Sequence, residues 1–305
     1  MKNVFAFSKG GKQASNREAL QGILFASPAI LGFLFFTLGP MIASLVMSFT
    51  DYAIVNQPKF IGLQNYKALF DGTDPFFYKS LRVTTYFVLL SVPANILFAF
   101  LVALVMNQPI KGKALLRTIY YLPSIVPVVA SSVIWLWILN PDLGLINNIL
   151  RSLRLPTSQW IFSERAVIPS LVVMGLWTTG NIMVIFLAGL QDIPRQLYEA
   201  IDVDGGNALH KLVHITIPLM TPTIFFNLVM GFILGFQTFT QAFVMTQGGP
   251  NNASLFYIFY LFREAFTLSQ MGSGCAIAWI LFLIIVFFTI LIFKTSQKWV
   301  YYEGK

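Results

Sequence analysis

Charge is what this 305-residue chain has least of. Only 10% of its residues are Asp, Glu, Lys or Arg, against roughly a quarter in a soluble globular domain. Cysteine is nearly missing: the single Cys275 excludes an intrachain disulfide and leaves the redox compartment open. Histidine occurs twice, at His210 and His214. No G-x-x-x-x-G-K-[ST] phosphate loop is present, so the chain does not hydrolyse ATP by that device. There is no internal repeat and no low-complexity segment. The net charge of +8 does not indicate nucleic acid, because Lys and Arg are scattered among connectors and form no dense patch. Anchoring to membrane lipid and control of topology account for it.

What fills the space is apolar. The chain is 56% hydrophobic, with a mean hydropathy of +0.72. Six segments, 22–49, 84–106, 119–139, 167–190, 218–246 and 272–293, contain no Asp, Glu, Lys or Arg. About 20 such residues in a helix cross ~30 Å of hydrocarbon. The reading is an all-α integral membrane protein with six transmembrane helices. The first segment follows a polar start bearing Lys2, Lys9, Lys12 and Arg17. It exceeds a signal h-region of roughly 7–15 residues, and reads as an uncleaved span. Six spans put both termini on one side, with 12 Lys and Arg there and 8 opposite. That bias predicts cytoplasmic termini: an N-terminal segment 1–21, a permeating domain 22–293 and a C-terminal tail 294–305. Pro123 and Pro127 interrupt the third segment, while Pro218 and Pro222 open the fifth. Kinks are expected at both, because proline removes a backbone donor. The outward connectors 50–83, 140–166 and 247–271 are long enough to fold over the mouth of a bundle. The last is expected to carry an interfacial amphipathic helix around 257–266, since Arg263 and Glu264 sit inside it.

Proton and ion carriers place ionisable groups within the bilayer, and these spans have none, although ion sites built from carbonyls stay open. They hold neutral polar groups instead: Ser124, Ser131, Ser132, Thr178, Thr179, Asn181, Asn227, Gln237, Thr238, Thr240 and Gln241. Each alone is more often glue between helices. Together with Trp135, Trp137, Trp177, Phe236 and Phe239 they suit a path for a neutral, hydroxyl-rich solute.

The polar exception is LYEAIDVDGGNALHKLVHITIP, residues 197–218. Asp192 is a plausible N-cap for a helix starting at Ile193 with Pro194 in its first turn. That helix would run through Val203 and stop at Gly205–Gly206, which supply a positive φ. Asn207 can cap a second helix, 208–217, before Pro218 opens the fifth span. Leu197, Ala200 and Ile201 give the first arm an apolar side; Leu209, Leu212, Val213 and Ile217 give the second one. Three readings compete. His210 and His214 are spaced i, i+4 like zinc ligands, but HKLVH lacks the Glu of H-E-x-x-H. A solvated polar face is the second. The third is a knob 191–218 that inserts into a partner's groove.

The pattern E-A-x-x-x-D-G followed by a distant Pro resembles the EAA loop of importer-type ABC transporter permeases. Here it is Glu199, Ala200, Asp204, Gly205 and Pro218, with Ile215 also matching. Ile201 and Gly206 stand where Ala is usual, and Leu212 where Phe is usual; the extra Gly206 is expected to loosen the turn. FIGLQNYKALF, RTIYYLPSIVPVVASSVIWLWI, LAGLQDIPRQLYEA and TQGGPNNAS also resemble carbohydrate-importer permeases of the malto-oligosaccharide and glycerol-phosphate type, specifically the first of their two permeases.

The resemblance implies a subunit in a bacterial cytoplasmic (inner) membrane. Its partners would be a second homologous permease, two ATP-binding cassette ATPase subunits and an extracytoplasmic solute-binding protein, with a sugar or oligosaccharide as substrate. The chain itself would bind no cofactor and no metal, ATP and Mg belonging to the partner ATPases. Glu199, Ala200, Asp204, Gly205 and Pro218 would couple to the ATPase. Ser124, Val128, Trp177, Thr178, Asn181, Gly231 and Gly235 would line the solute path by position, with Gln237 added on chemical grounds. Gly231 and Gly235 equally suit a helix-packing face. Two other classes stand beside this one: a polytopic membrane enzyme, such as a hydrolase built on the two histidines, and a secondary transporter. Acidic oligosaccharides, neutral oligosaccharides and glycerol phosphate all remain open as substrates.

Overall fold

The structure, a computed structural model, describes residues 16–54 and 56–301; Lys2, Lys9, Lys12 and Lys305 lie outside the described residues. Among the described residues the fold is helical throughout, with one isolated antiparallel bridge between Thr50 and Phe60. In chain order the helices are α1 (Leu20–Met47), α2 (Gln64–Phe70), α3 (Pro75–Asn107), α4 (Lys113–Ile125), α5 (Val128–Ile138), α6 (Leu145–Ser152), α7 (Val167–Trp177), α8 (Gly180–Asp192), α9 (Arg195–Val203), α10 (Ala208–Phe236), α11 (Tyr257–Phe262) and α12 (Met271–Ser296). Four of them, α1, α3, α10 and α12, are long and apolar enough to cross a membrane. The number rises to six when the bent pairs α4–α5 and α7–α8 each count as one span.

The centre of the bundle is α3, which packs against α7, α8 and α10. It starts at 75 rather than 84, because the Asp74 carboxylate accepts the Phe76 N–H at 2.7 Å and Pro75 occupies the first turn. Its 33 residues span about 50 Å, so the turns bearing Lys79 and Arg82 extend past ~30 Å of hydrocarbon. Two apolar cores stack along it. One gathers Phe87, Val88, Val92, Leu171, Met174, Phe256 and Ile277; the other gathers Ala99, Phe100, Met183, Phe186, Leu190, Ile215 and Met220.

Breaks and turns in the helices shape the rest. The break at Val126–Pro127 turns α4 into α5 by 98°, and a second break at Thr178–Thr179 bends α7 into α8 by 52°. The fifth span differs from expectation at both ends. A π-turn over Leu212–Thr216 carries the helix across Pro218, so the second arm of the polar loop and the span are one helix, α10. Extra residues in a π-turn absorb the bond that proline cannot make. The same helix stops at Phe236, ten residues short of 246, where the polar run Gln237–Thr238 begins. The helix α11 is also packed into the bundle, not laid along its surface. Tyr257 and Tyr260 are fully buried, the Tyr257 N–H donates to Thr84 Oγ1 at 2.8 Å, and the Tyr260 hydroxyl donates to Asp74. The segment plugs the end of the bundle where α3 begins.

Candidate functional site

A cavity of about 450 Å³ opens where one core gives way to the other. Its volume lies within the roughly 300–1,000 Å³ usual for small-molecule sites. Both broken helices reach it: Ser124 and Val128 flank the first break, and Thr178, Thr179 and Asn181 the second. Irregular backbone at membrane depth is tolerated where it lines a cavity. The α3 wall contributes Ser91, Val92 and Asn95; the α10 wall contributes Asn227, Gly231 and Gly235, and Thr238 and Gln241 follow. None of the lining residues is ionisable.

The breaks are held by local bonds. Ser124 Oγ donates to the Tyr121 carbonyl at 2.6 Å, Thr178 Oγ1 to Gly175 at 3.0 Å, and the Tyr120 hydroxyl meets Thr179 Oγ1 at 2.6 Å. Gly180 lets the two broken pairs touch: a methyl group there would sit 2.8 Å from Ser124 Oγ and 3.0 Å from Tyr121 Cα. Two polar atoms on the walls, Asn95 Oδ1 and Ser131 Oγ, are buried without a protein partner. Such atoms cost about 1–3 kcal/mol each unless something in the cavity bonds to them.

Six of the eight residues expected on the solute path line this cavity: Ser124, Val128, Thr178, Asn181, Gly231 and Gly235. Two do not. Trp177 turns away and packs edge-on against Trp135, ring centroids 6.0 Å apart. Gln237 is exposed, because α10 ends at Phe236 and the helical spacing assumed for a longer span no longer holds. Gly231 and Gly235 also serve the packing alternative: a methyl at 231 would come within 2.8 Å of Val92, and one at 235 within 3.1 Å of Val88. Sequence reasoning missed Ser91 and Asn95. Their signal is an i, i+4 polar pair on an otherwise apolar helix, which places both on one face.

At the far end of α10 the polar loop forms a compact two-armed knob. Asp192 does not cap α9; it closes α8, and Ile193–Pro194 run extended before Arg195, because a residue preceding proline is held out of the helical region. Gly205 takes φ +74°. Its N–H donates to the Asp202 carbonyl at 3.1 Å and that of Gly206 to Ile201 at 2.8 Å, the paired bonds of a Schellman turn. Gly206 does not loosen this turn. A methyl at 206 would run into the Ile201 side chain, so two of the three departures from the family pattern, a larger residue at 201 and a smaller one at 206, fill one space. Asn207 caps α10 as expected. Its side chain accepts the His210 N–H at 3.0 Å, while His210 Nδ1 accepts the Asn207 N–H at 3.2 Å. His210 is thus a capping residue stacked on His214, and no group of three metal-ligating residues occurs among the described residues.

The arms are pinned together by the Lys211–Asp202 ion pair at 2.6 Å and by the Tyr198 hydroxyl against Thr216 at 3.0 Å. Their inner side, Ile193, Ile201, Leu212 and Ile215, joins the second core. The outer side is bare: Val203 is 89% and Leu209 65% exposed, beside exposed Glu199 and Asp204.

The model of the family described as "binding-protein-dependent transport system inner membrane component" matches residues 95–301, which contain the cavity breaks and the knob. The chain belongs to this family. Among its relatives is the probable ABC transporter permease YesP of Bacillus subtilis (strain 168), 43% identical over 293 residues that cover 95% of this chain and 94% of that one. The arabinooligosaccharides transport system permease AraP of the same organism is 31% identical over 277 residues, covering 90% and 87%. In fold the chain is similar to a chain in the crystal structure of a bacterial alginate ABC transporter bound to its pentasaccharide-loaded periplasmic protein. The TM-score is 0.80 at 22% identity, with 93% of this chain and 96% of that one covered. The protein is therefore a multi-pass permease component of an ABC importer, a pore-forming subunit rather than an enzyme.

Proposed function

We propose that this permease passes an oligosaccharide-like solute through the cavity between its two broken helices. The observation that carries the reading is the chemistry of the wall: amide and hydroxyl groups from α3, α4, α5, α8, α10 and the Thr178–Thr179 break converge with no ionisable side chain among them. Neutral hydroxyls of a sugar would bond to such groups without proton or ion chemistry, and Asn95 Oδ1 and Ser131 Oγ would find partners. Relatives named for arabinooligosaccharides and for trehalose and maltose support this substrate class. Ser124, Val128, Thr178, Asn181, Gly231 and Gly235 are the contacts we assign to the path. Trp177 and Gln237, placed outside the cavity, are given no contact.

In the proposed arrangement the domain 22–293 crosses the bacterial cytoplasmic membrane six times, with segment 1–21, knob 191–218 and tail 294–305 in the cytoplasm. A second homologous permease completes the path, and an extracytoplasmic solute-binding protein delivers the solute over the outer connectors. Two ATPase subunits bearing ATP and Mg receive the knobs. Glu199 and Asp204 supply polar contacts, Ala200 allows close approach, Gly205 permits the turn and Pro218 sits where the arm enters the span. The bare Val203 and Leu209 suit an apolar groove on the ATPase.

Gly205→Asp tests the coupling role. Position 205 has open space but a left-handed φ, so the variant should reach the membrane, distort the turn and hydrolyse ATP without solute uptake. Full uptake by Gly205→Asp would exclude the role. The enzyme reading loses its residues, since both histidines lie in the knob and His210 serves as a cap.

A further inference from the structure

The cavity-lining helix α10 carries two prolines, Pro218 and Pro222, in its interior, and the second leaves a gap that residues near the C-terminus fill. Pro222 has no N–H, so the Pro218 carbonyl four residues earlier lacks its helical donor. The Thr221 hydroxyl donates to that carbonyl at 2.6 Å. The Thr221 oxygen in turn accepts the backbone N–H of Tyr301 at 2.8 Å, across 80 residues of sequence. Thr221 is buried, at 9% exposure.

The route from α12 to this point is also ordered. Trp299 and Val300 both donate their N–H groups to the Ser296 carbonyl, at 3.1 and 2.8 Å, turning the chain back. The Trp299 ring then lies edge-on to Phe225 of α10, centroids 6.2 Å apart, and Phe225 stands edge-on to Phe293 of α12 at 5.0 Å. Residues 297–301 thus form a strap between α12 and the Pro218–Pro222 stretch of α10. On one side of this stretch lies the arm 208–217 with the knob; on the other lie Asn227, Gly231 and Gly235 of the cavity wall.

We propose that Thr221 and the strap, with Trp299 as its anchor, are positioning elements for coupling. They hold the arm at a fixed angle to the cavity-lining part of α10. A displacement of the knob then reaches the cavity wall instead of being absorbed at the Pro218–Pro222 stretch, where a carbonyl would otherwise lack its donor. Neither residue touches solute or nucleotide. The inference rests on the knob being the coupling site.

The test uses the complete transporter in proteoliposomes with its binding protein and ATPases, and reads ATP hydrolysed per solute taken up. Thr221→Val removes the hydroxyl at nearly constant volume, and Trp299→Ala removes the anchor. Thr221→Val should raise the ratio about fivefold, the equilibrium effect of one net hydrogen bond, and Trp299→Ala should raise it in the same direction. Assembly should be unchanged, and Thr221→Ser should restore the wild-type ratio. If Thr221→Val does not assemble, Tyr301→Pro, which deletes only the strap's donor, reads the same quantity. An unchanged ratio in the assembled variants overturns the proposal. So does a loss of heat stability with the ratio intact, which would assign a purely structural role. Gly205→Asp in parallel separates the failures: if it retains full uptake, the knob reading has failed and the strap with it. If it uncouples while Thr221→Val does not, the strap alone has failed.

Discussion

Positions 201 and 206 can be exchanged as a pair, and the structure sets what each step costs. In Gly206→Ala the new methyl enters space held by the Ile201 side chain and lies 3.1 Å from the Ile201 carbonyl. Overpacking of this kind costs about 1–3 kcal/mol. Ile201 is only half-buried against the second core, so Ile201→Ala alone should cost about 1 kcal/mol, below the range for a fully buried isoleucine. With both changes made, the methyl at 206 occupies the vacated space, and the double variant should cost no more than Ile201→Ala. The favourable interaction energy is then about 1–3 kcal/mol, as residues in contact give in double-mutant cycles. Hydrogen exchange of the amides of residues 200–212 in nanodisc-embedded protein reports it, because local opening follows the stability of the turn. A cost of 2 kcal/mol corresponds to roughly 30-fold faster exchange. Gly206→Ala should approach that figure, and the double variant should return to the rate of Ile201→Ala. Unaltered exchange in Gly206→Ala, or no rescue by the second change, would refute the shared-space argument.

Three further outcomes follow from the same geometry. Gly231→Ala should destabilise the α3–α10 contact by about 1–3 kcal/mol, because its methyl would meet Val92 at 2.8 Å; adding Val92→Ala should recover much of the loss in a thermal unfolding assay. In transport assays Asn181→Ala should raise the solute KM, while Trp177→Phe, outside the cavity, should leave it within about twofold of wild type; the reverse order would remove the cavity from the path. Burial raises the Glu264 carboxyl above its ordinary 4.5, and the Asp74 charge adds to the shift. Between 4.5 and the raised value the folded connector holds a proton that the unfolded one has lost, so stability falls as pH rises through that window. Exchange of the 257–270 amides should accelerate with pH across it beyond the intrinsic trend, and Glu264→Gln should abolish the excess.

Apolar run length marked out the segments that fold as the four long helices and two bent pairs, because each run without charge is long enough to span hydrocarbon. Local signals were equally direct in the knob. Asn207 caps and Gly205 turns on the strength of neighbouring residues alone. Asp192 failed as a cap because the Ile193–Pro194 link, another local rule, overrode it. The remaining misses are tertiary. Which face of α3 meets the cavity depends on how α7, α8 and α10 pack around it, so Ser91 and Asn95 gave only a spacing. Gln237 was misplaced by extending helical periodicity past Phe236. Tyr257 and Tyr260 looked interfacial from their charged neighbours, yet Asp74, Thr84 and the Ile277 carbonyl supply buried hydrogen-bond partners from distant helices. The paired exchange at 201 and 206 is visible only once the turn is built.

The most direct test of the account is uptake of a labelled neutral oligosaccharide into proteoliposomes. They would hold this permease, its partner permease and the two ATPases, with the loaded solute-binding protein outside. The account predicts accumulation against a gradient that requires both ATP hydrolysis and the binding protein and is indifferent to proton or sodium gradients. Accumulation driven by an ion gradient without the ATPases would contradict it.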